Sequence, residues 1–571
     1  MNVQSLPTEA KSILALTWSD YEPYYKDLEA RELNESTVQA WLDDWSGVAQ
    51  TADEQYWRLY IATTVNTADQ KSDNQFNRYV EEIQPAVKTA EQKLKDKILA
   101  SGLSPKSFET GLRRIQAEAK IFREENLPLL AQEQKLVTDY NKLMGSLTAL
   151  WEGEERTFTQ MWALLYETDR SVRQRAWELR EACLLKERQT INELWEKFMA
   201  VRLKIAENAN LPDYRAYVWT QKFRFDYTPE DCKSFHAAIE EVVVPAARRA
   251  YERRRQRLGI DTVRPWDIYV DPLGTEPIKP YETIDEFKSK AHAIFQQVDP
   301  KFGEYFQIMM DEGLLDLESR KNKAPGAYSL GLHVAHRPFV FMNAIGTSLD
   351  VQTILHEGGH AFHEFERAHV HFYQRGENYL PAEFAEVASM GMELITSPYK
   401  SKASGGFYTE SEAARAMIDL LEDSITFWPY MALVDAFQHW VYETPTEGSD
   451  ASKCENKWGE LWDRFMIGID YSGWEDVKKT YWHRQSHPFD SPFYYVEYGL
   501  ALLGAVQVWA NSRKNQKKAV ADYRKALALG ATVPLPQLFE TAGAKFALDA
   551  KTLKEAVDLM EEVIGEMEVR L

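Results

Sequence analysis

Long stretches of this chain repeat apolar side chains with a period near 3.6 and fill the remaining positions with charge. Segments 73–100, 116–150, 157–206, 229–258 and 411–442 follow that pattern with few breakers, which predicts long amphipathic helices and a mainly α fold. The clearest interruption is 259–280, where six glycines and prolines surround Val263-Arg264-Pro265-Trp266-Asp267. This segment is expected to connect an N-terminal helical region, 1–258, with a second and catalytic helical region, 281–571. Shorter loops are expected at 401–406 and 444–452, and the sequence contains no internal repeat or low-complexity tract. A different pattern appears at Pro338-Phe339-Val340-Phe341-Met342-Asn343, a short apolar run that reads as a strand. Gly346-Thr347-Ser348 then reads as a turn, with Thr347 or Ser348 placed to cap the next helix.

That next helix carries the most informative residues of the chain, His356-Glu357-Gly358-Gly359-His360. Histidines four apart share one helix face, so both imidazoles can reach a single metal ion. Glu357 follows the first histidine directly, where it can face a metal-activated water without itself being a ligand. Two zinc ligands and a general base are the equipment of a metallopeptidase. Two glycines inside a helix cost about 1 kcal/mol each relative to alanine. They fit equally well with close helix packing or with a peptide passing near the backbone. The pattern departs from a three-histidine zinc site, because Glu366 stands where the third histidine would be.

The third ligand is expected from a second helix at 381–394, which opens at Pro381 and ends before Ser397-Pro398. Glu383, Glu386 and Glu393 compete for the role. Glu386 lies among Phe384, Val387, Ala388 and Met390, so it points inward, and a buried carboxylate needs a counter-charge that a metal dication supplies. Glu383 reads as exposed. Glu393, seven residues on, can orient a ligand histidine or sit on the surface. An oxyanion formed during hydrolysis needs donors, and 484–498 offers His487, Tyr494, Tyr495 and Tyr498, with Tyr495 and Tyr498 able to share a helix face.

His-Glu-Gly-Gly-His-Ala-Phe-His at 356–363, Phe-Ala-Glu-Val-Ala-Ser-Met at 384–390 and Arg-Gln-Ser-His-Pro-Phe-Asp-Ser-Pro-Phe-Tyr-Tyr-Val-Glu-Tyr at 484–498 resemble the M3 family of zinc oligopeptidases. That is the thimet oligopeptidase and oligoendopeptidase F group, and the chain most resembles its bacterial Pz-peptidase-like branch. The resemblance implies one Zn2+ per chain, held by His356, His360 and Glu386, with Glu357 as general base. It places His487, Tyr495 and Tyr498 opposite the metal, Tyr498 as the first choice of oxyanion donor. A further family tyrosine would fall near Asp490 or Ser491, where this sequence has none. By the same resemblance the strand near 338–343 is an edge strand that pairs with substrate through residues such as Phe341 and Asn343, with Tyr494 nearby. The implied fold is a helical ellipsoid cut by a deep substrate channel, with a small β element beside the zinc helix. The implied activity is endopeptidase cleavage of short, unstructured oligopeptides. A carboxy-terminal dipeptidase or another exopeptidase is the alternative on the same zinc site; a non-catalytic peptide-binding protein would have no need of Glu357.

Composition sets the outer bounds. In 571 residues, 44% hydrophobic and 12% aromatic content belongs to a globular protein with a large core. A formal charge of −21 argues against nucleic acid as a partner. The local exception, Arg248-Arg249 with Arg253-Arg254-Arg255 and Arg257, reads as a solvated face near a helix end. No stretch is long and apolar enough for a membrane span, no secretory signal is evident, and Cys183, Cys232 and Cys454 form no disulfide framework, so a cytoplasmic location is expected. Ten of the twelve histidines lie between His333 and His487, the region already assigned to the chemistry.

Overall fold

A computed structural model describes residues 6–274, 277–376 and 379–571. Helices dominate, and their boundaries follow local chemistry. The helix Pro229–Leu258 begins with a Thr228–Asp231 capping box and Pro229 in its first turn, and it ends at Gly259 in the left-handed conformation. The expected helix at 411–442 runs from Glu410 to Glu443, capped by Thr409 and Glu412. The arginine run at the end of Pro229–Leu258 stays at the surface, with Arg248 and Arg249 exposed, and most of its members are paired. Arg249 and Arg257 pair with Glu561 and Glu568 of the C-terminal helix, Arg253 with Glu422, and Arg254 donates to the Val270 carbonyl.

Two expected helices are interrupted. A hairpin of β1 (Thr148–Trp151) and β2 (Glu154–Thr157) stands where 116–150 and 157–206 meet. Its turn places Glu152 and Gly153 at positive φ, a geometry that glycine tolerates freely. Asp169 then caps a fresh helix, Arg170–Lys186, followed by Arg188–Asn208.

Buried apolar side chains form two cores. The smaller gathers Tyr21, Tyr25, Trp41 and Trp45 from the first helices and is completed by Phe372 and Tyr373 from far along the chain. The larger runs from Ile121 to Ile564. Within the connecting segment, Trp266 joins this larger core by packing on Trp177, and buried Asp267 pairs with Arg170 and Arg173.

The sheet beside the motif helix has three strands, β3 (Leu315–Glu318), β4 (Tyr328–Leu332) and β5 (Arg337–Ala344), in the order β3-β5-β4. The apolar run 338–343 therefore occupies the central strand, parallel to β3 and antiparallel to β4. This corrects the expected edge strand. Both backbone edges of β5 are paired, and the free edges belong to β3 and β4. Phe341 is fully buried, stacked on Tyr328 at 4.7 Å, and Asn343 donates to the carbonyls of Ala324 and Gly326. Both side chains hold the sheet together instead of facing a ligand. The motif helix, Ser348–Arg367, packs between this sheet and the helix Ala382–Ile395, which in turn lies along the long helix Tyr495–Leu527.

Candidate metal centre and active site

Thr347 caps the motif helix, and Asp350 collects the backbone N–H groups of Ile345, Gly346 and Thr347 together with the Tyr281 hydroxyl. This fixes the turn that leaves β5 and aims the histidine face. Further along, Gly358 and Gly359 mark close crossings. A Cβ on Gly358 would lie 2.5 Å from the Phe295 ring, and one on Gly359 would lie 2.4 Å from the Ala388 carbonyl oxygen and 2.7 Å from Ser389 Cα. The packing reading of the two glycines therefore holds, and Gly359 is what lets the two helices approach. Gly359→Ala should destabilise the protein by about 2 kcal/mol or more, since its neighbours are backbone atoms that cannot swing away. Denaturant unfolding of the variant checks this; parent-like stability would remove the close-packing argument.

That approach brings Glu386 to the histidines. Its Oε2 lies 3.5 Å from His356 Nε2 and 3.7 Å from His360 Nε2, and the three side chains form one group of donor atoms within 4.8 Å of one another. Bonds of about 2.0–2.2 Å arranged tetrahedrally put ligand atoms roughly 3.4 Å apart. The donor set and its spacing thus fit a zinc ion. Ser389 donates to Glu386 Oε2 at 2.8 Å and holds that carboxylate from one turn below. Glu393 takes the orienting role: its Oε1 lies 2.7 Å from His356 Nδ1, while its Oε2 accepts from Gln352 at 2.8 Å. This leaves His356 Nε2 free to face the donor group. Glu393→Gln is expected to weaken metal binding by roughly ten- to hundredfold, measured by competition with a chromogenic chelator. Unchanged affinity would return Glu393 to a packing role.

Glu357 is buried beside this group, and its Oε2 has no hydrogen-bond partner among the described residues. Burial, reinforced by the nearby Glu386 and Glu393 carboxylates, pushes its carboxyl up to about 7. Burial works against charge on His356, yet the Glu393 hydrogen bond and the surrounding carboxylates hold it at about 9. His360, buried next to His356, is pushed well down. The site is thus rich in negative charge that a dication would balance.

A cavity of about 330 Å³ opens onto these residues. His356, Glu357, His360 and Glu386 line one side, and Tyr328, Ser329 and Gly331 of β4 line another. The strand edge that lines the cavity is therefore that of β4, not of β5. Tyr494 also lines the cavity. His487, Tyr495 and Tyr498 form an aromatic cluster behind Tyr494, with His487 4.7 Å from Tyr495 and Tyr494 5.1 Å from Tyr498. Tyr495 packs against Phe427 and Tyr430, and Gln485 contacts His487 Nδ1 at 2.6 Å. None of the three is on the cavity wall, although Glu386 raises the Tyr498 hydroxyl after burial has done so. Glu383 is buried, not exposed, and accepts from the Tyr227 hydroxyl at 2.6 Å. Ser389 and Gln352 were missed by sequence reasoning; the Phe-x-Glu-x-x-Ser spacing was the available signal for the first.

A second group of metal-type donors, Cys232, Asp435 and His439, lies buried elsewhere. It is differently arranged. His236 Nε2 lies 2.8 Å from Asp435 Oδ2, and Arg215 Nη1 lies 3.2 Å from His439 Nδ1. An arginine can only donate, so His439 Nδ1 accepts and its Nε2 carries the proton, facing Asp435. Asp435 and His439 are thus each engaged by a neighbouring side chain, His236 and Arg215.

The chain is similar to known peptidases in sequence and in fold. The model of peptidase family M3 matches residues 163–558. The chain is similar to an oligoendopeptidase F homolog of Borreliella burgdorferi, 22% identical and spanning 82% of this chain and 80% of that one. It is also similar to the chromosomal oligoendopeptidase F of Lactococcus lactis subsp. cremoris, 23% identical over 71% of this chain and 65% of that one. Among solved structures, Pz peptidase A with an inhibitor is 26% identical, with a TM-score of 0.84 and complete coverage of both chains. Oligoendopeptidase-F from Enterococcus faecium shares the fold at 16% identity, with a TM-score of 0.62 over 97% of this chain and 98% of that one.

Proposed function

The chain belongs to peptidase family M3, and from that premise we propose how its residues divide the work of cleaving an internal peptide bond. It is a metallo-endopeptidase that hydrolyses oligopeptides. His356, His360 and Glu386 hold one Zn2+ per chain, and Glu393 and Ser389 keep two of those ligands in place. The zinc ion supplies a Lewis acid and lowers the pKa of water to near neutrality. Glu357 takes the proton from the attacking water and returns one to the departing amine nitrogen. The observation that carries this assignment is its unpartnered Oε2, buried on the cavity wall beside three converging metal donors. Tyr494, on the cavity wall, supplies a hydroxyl donor to the developing oxyanion, with Tyr498, His487 and Tyr495 packed behind it and fixing its ring. The free edge of β4 pairs with the substrate backbone, which would tolerate many side-chain sequences.

No helix among the described residues is long and apolar enough to cross a membrane. The three cysteines are free thiols, which supports a reducing, cytoplasmic compartment as part of the proposal. The test is mass spectrometry of a short unstructured peptide after incubation with metal-free and zinc-restored protein. Internal cleavage that appears only with zinc is the expected result. Stepwise trimming from one end would move the enzyme to the exopeptidase class, and intact peptide with zinc bound would overturn the catalytic reading.

A further inference from the structure

A second cavity, of about 280 Å³, adjoins the first. Leu380, Ala382 and Tyr494 line both. Ala382 precedes Glu386 by four residues on one helix, so the shared wall lies about 6 Å along the axis from the metal ligand. An extended peptide covers that distance in about two residues.

The charge of this second cavity is unlike that of the protein as a whole. The net charge of the chain is −21, yet four cations, Arg113, Arg114, Lys222 and Arg224, line the cavity against three carboxylates. All three carboxylates are engaged. Glu497 is held by Arg224 and faces Lys222 at 3.4 Å, Glu383 takes the Tyr227 hydroxyl, and Asp226 accepts from Leu535 N. Arg113 and Arg114 are left over. Arg113 stacks its guanidinium 4.1 Å from the centre of the Phe225 ring. Arg114 is only 6% exposed, donates through Nη1 to the Ala531 carbonyl at 3.0 Å, and its buried Nε has no partner. Among the described residues no carboxylate lies within ion-pair distance of it. Burial lowers its pKa to about 10, a measure of how poorly its charge is compensated. A buried guanidinium without an anion is costly, and a planar carboxylate is the group its fork fits best.

We propose that this cavity binds a carboxylate of the peptide substrate, its free C-terminus, with Arg114 as the buried counter-ion and Arg113 at the rim. The proposal rests on the peptidase reading for the identity of the ligand as a peptide. It anchors the C-terminal end of a bound peptide beside the cavity that carries the metal donors.

The test uses three peptides that share one sequence without acidic side chains: the free acid, the C-terminal amide, and the amide with a single glutamate placed next to the end. Binding is measured by fluorescence anisotropy to Glu357→Gln, and cleavage positions are read with the parent enzyme. The free acid is expected to bind on the order of tenfold more tightly than the amide, and Arg114→Gln should bring the ratio to about one. Recovery of affinity by the glutamate-bearing amide would keep the cavity as a carboxylate site and show that a side chain can also fill it. Equal binding of all three peptides would overturn the proposal, and this comparison needs no change at Arg114, whose bond to Ala531 also supports the fold. Failure of the zinc-loaded parent to cleave any peptide would sink the peptidase reading separately, because the acid-to-amide binding ratio is read without turnover.

Discussion

Glu357→Gln is expected to lower kcat by about a thousandfold or more, with KM and zinc content close to those of the parent. The substitution keeps size and shape and removes only the ability to take and return a proton. A thousandfold loss corresponds to about 4 kcal/mol of transition-state stabilisation. The fold should not suffer. Glu357 Oε2 accepts no hydrogen bond, so no partner is orphaned, and burial already pushes the carboxyl up to about 7. Its charge is a burden to the folded state that the reaction requires. The folded-state value lies above the ordinary carboxylate value, so the penalty of the parent grows as pH rises from about 4.5 through about 7 in the metal-free protein. Metal-free Glu357→Gln should therefore melt at the same temperature as the parent or above it at pH 8, and the two should converge at pH 4. Steady-state kinetics and melting curves read the two effects separately. A kcat within tenfold of the parent would mean that another group carries the proton.

What was legible in the sequence was local. The motif helix, a cap at Thr347 or Ser348 and the candidate metal donors His356 and His360 follow from periodicity and spacing, and Glu386 follows from the apolar neighbours Phe384, Val387 and Ala388 that bury it. The helix Pro229–Leu258 was legible to its ends because Thr228, Pro229 and Gly259 are stop and start signals in themselves. What was not legible depends on partners distant in the chain. Whether 338–343 is an edge or a centre is decided by β3 and β4 pairing on either side of it. Alternation along the run says nothing of that. Phe341 and Asn343 are structural for the same reason. Gly358 and Gly359 were ambiguous until Phe295 and the Ala388 backbone were seen against them. Glu393 became an orienting group only through the crossing that sets it against His356. The Glu152–Gly153 turn was a readable signal, masked by the charged helical pattern on either side.

Removing the metal is expected to abolish cleavage while leaving the protein folded. Glu386→Ala should do the same at ordinary zinc concentrations. Both follow from where the site sits. The motif helix is held by Ile354, Leu355 and Phe362, and its neighbour by Phe384, Val387 and Ala388, all buried in the larger core independently of any ion. A metal ion held by His356, His360 and Glu386 would bridge two helices that already touch, unlike a small zinc domain whose metal substitutes for a core. A bound ion at 100 times its Kd still adds about 2.7 kcal/mol to stability, so restoring zinc should raise the melting temperature of the parent and hardly move that of Glu386→Ala. The loss of affinity in Glu386→Ala should exceed the roughly hundredfold ceiling expected for Glu393→Gln, because a charged ligand is lost and not merely its support. Elemental analysis after dialysis against limiting zinc gives the count. One zinc per chain in the parent and none in Glu386→Ala is the expected pair of values. A full zinc complement with activity in Glu386→Ala would remove that residue from the ligand set. A second zinc that survives the substitution would point to Cys232, Asp435 and His439, and would require Arg215 to release His439 Nδ1.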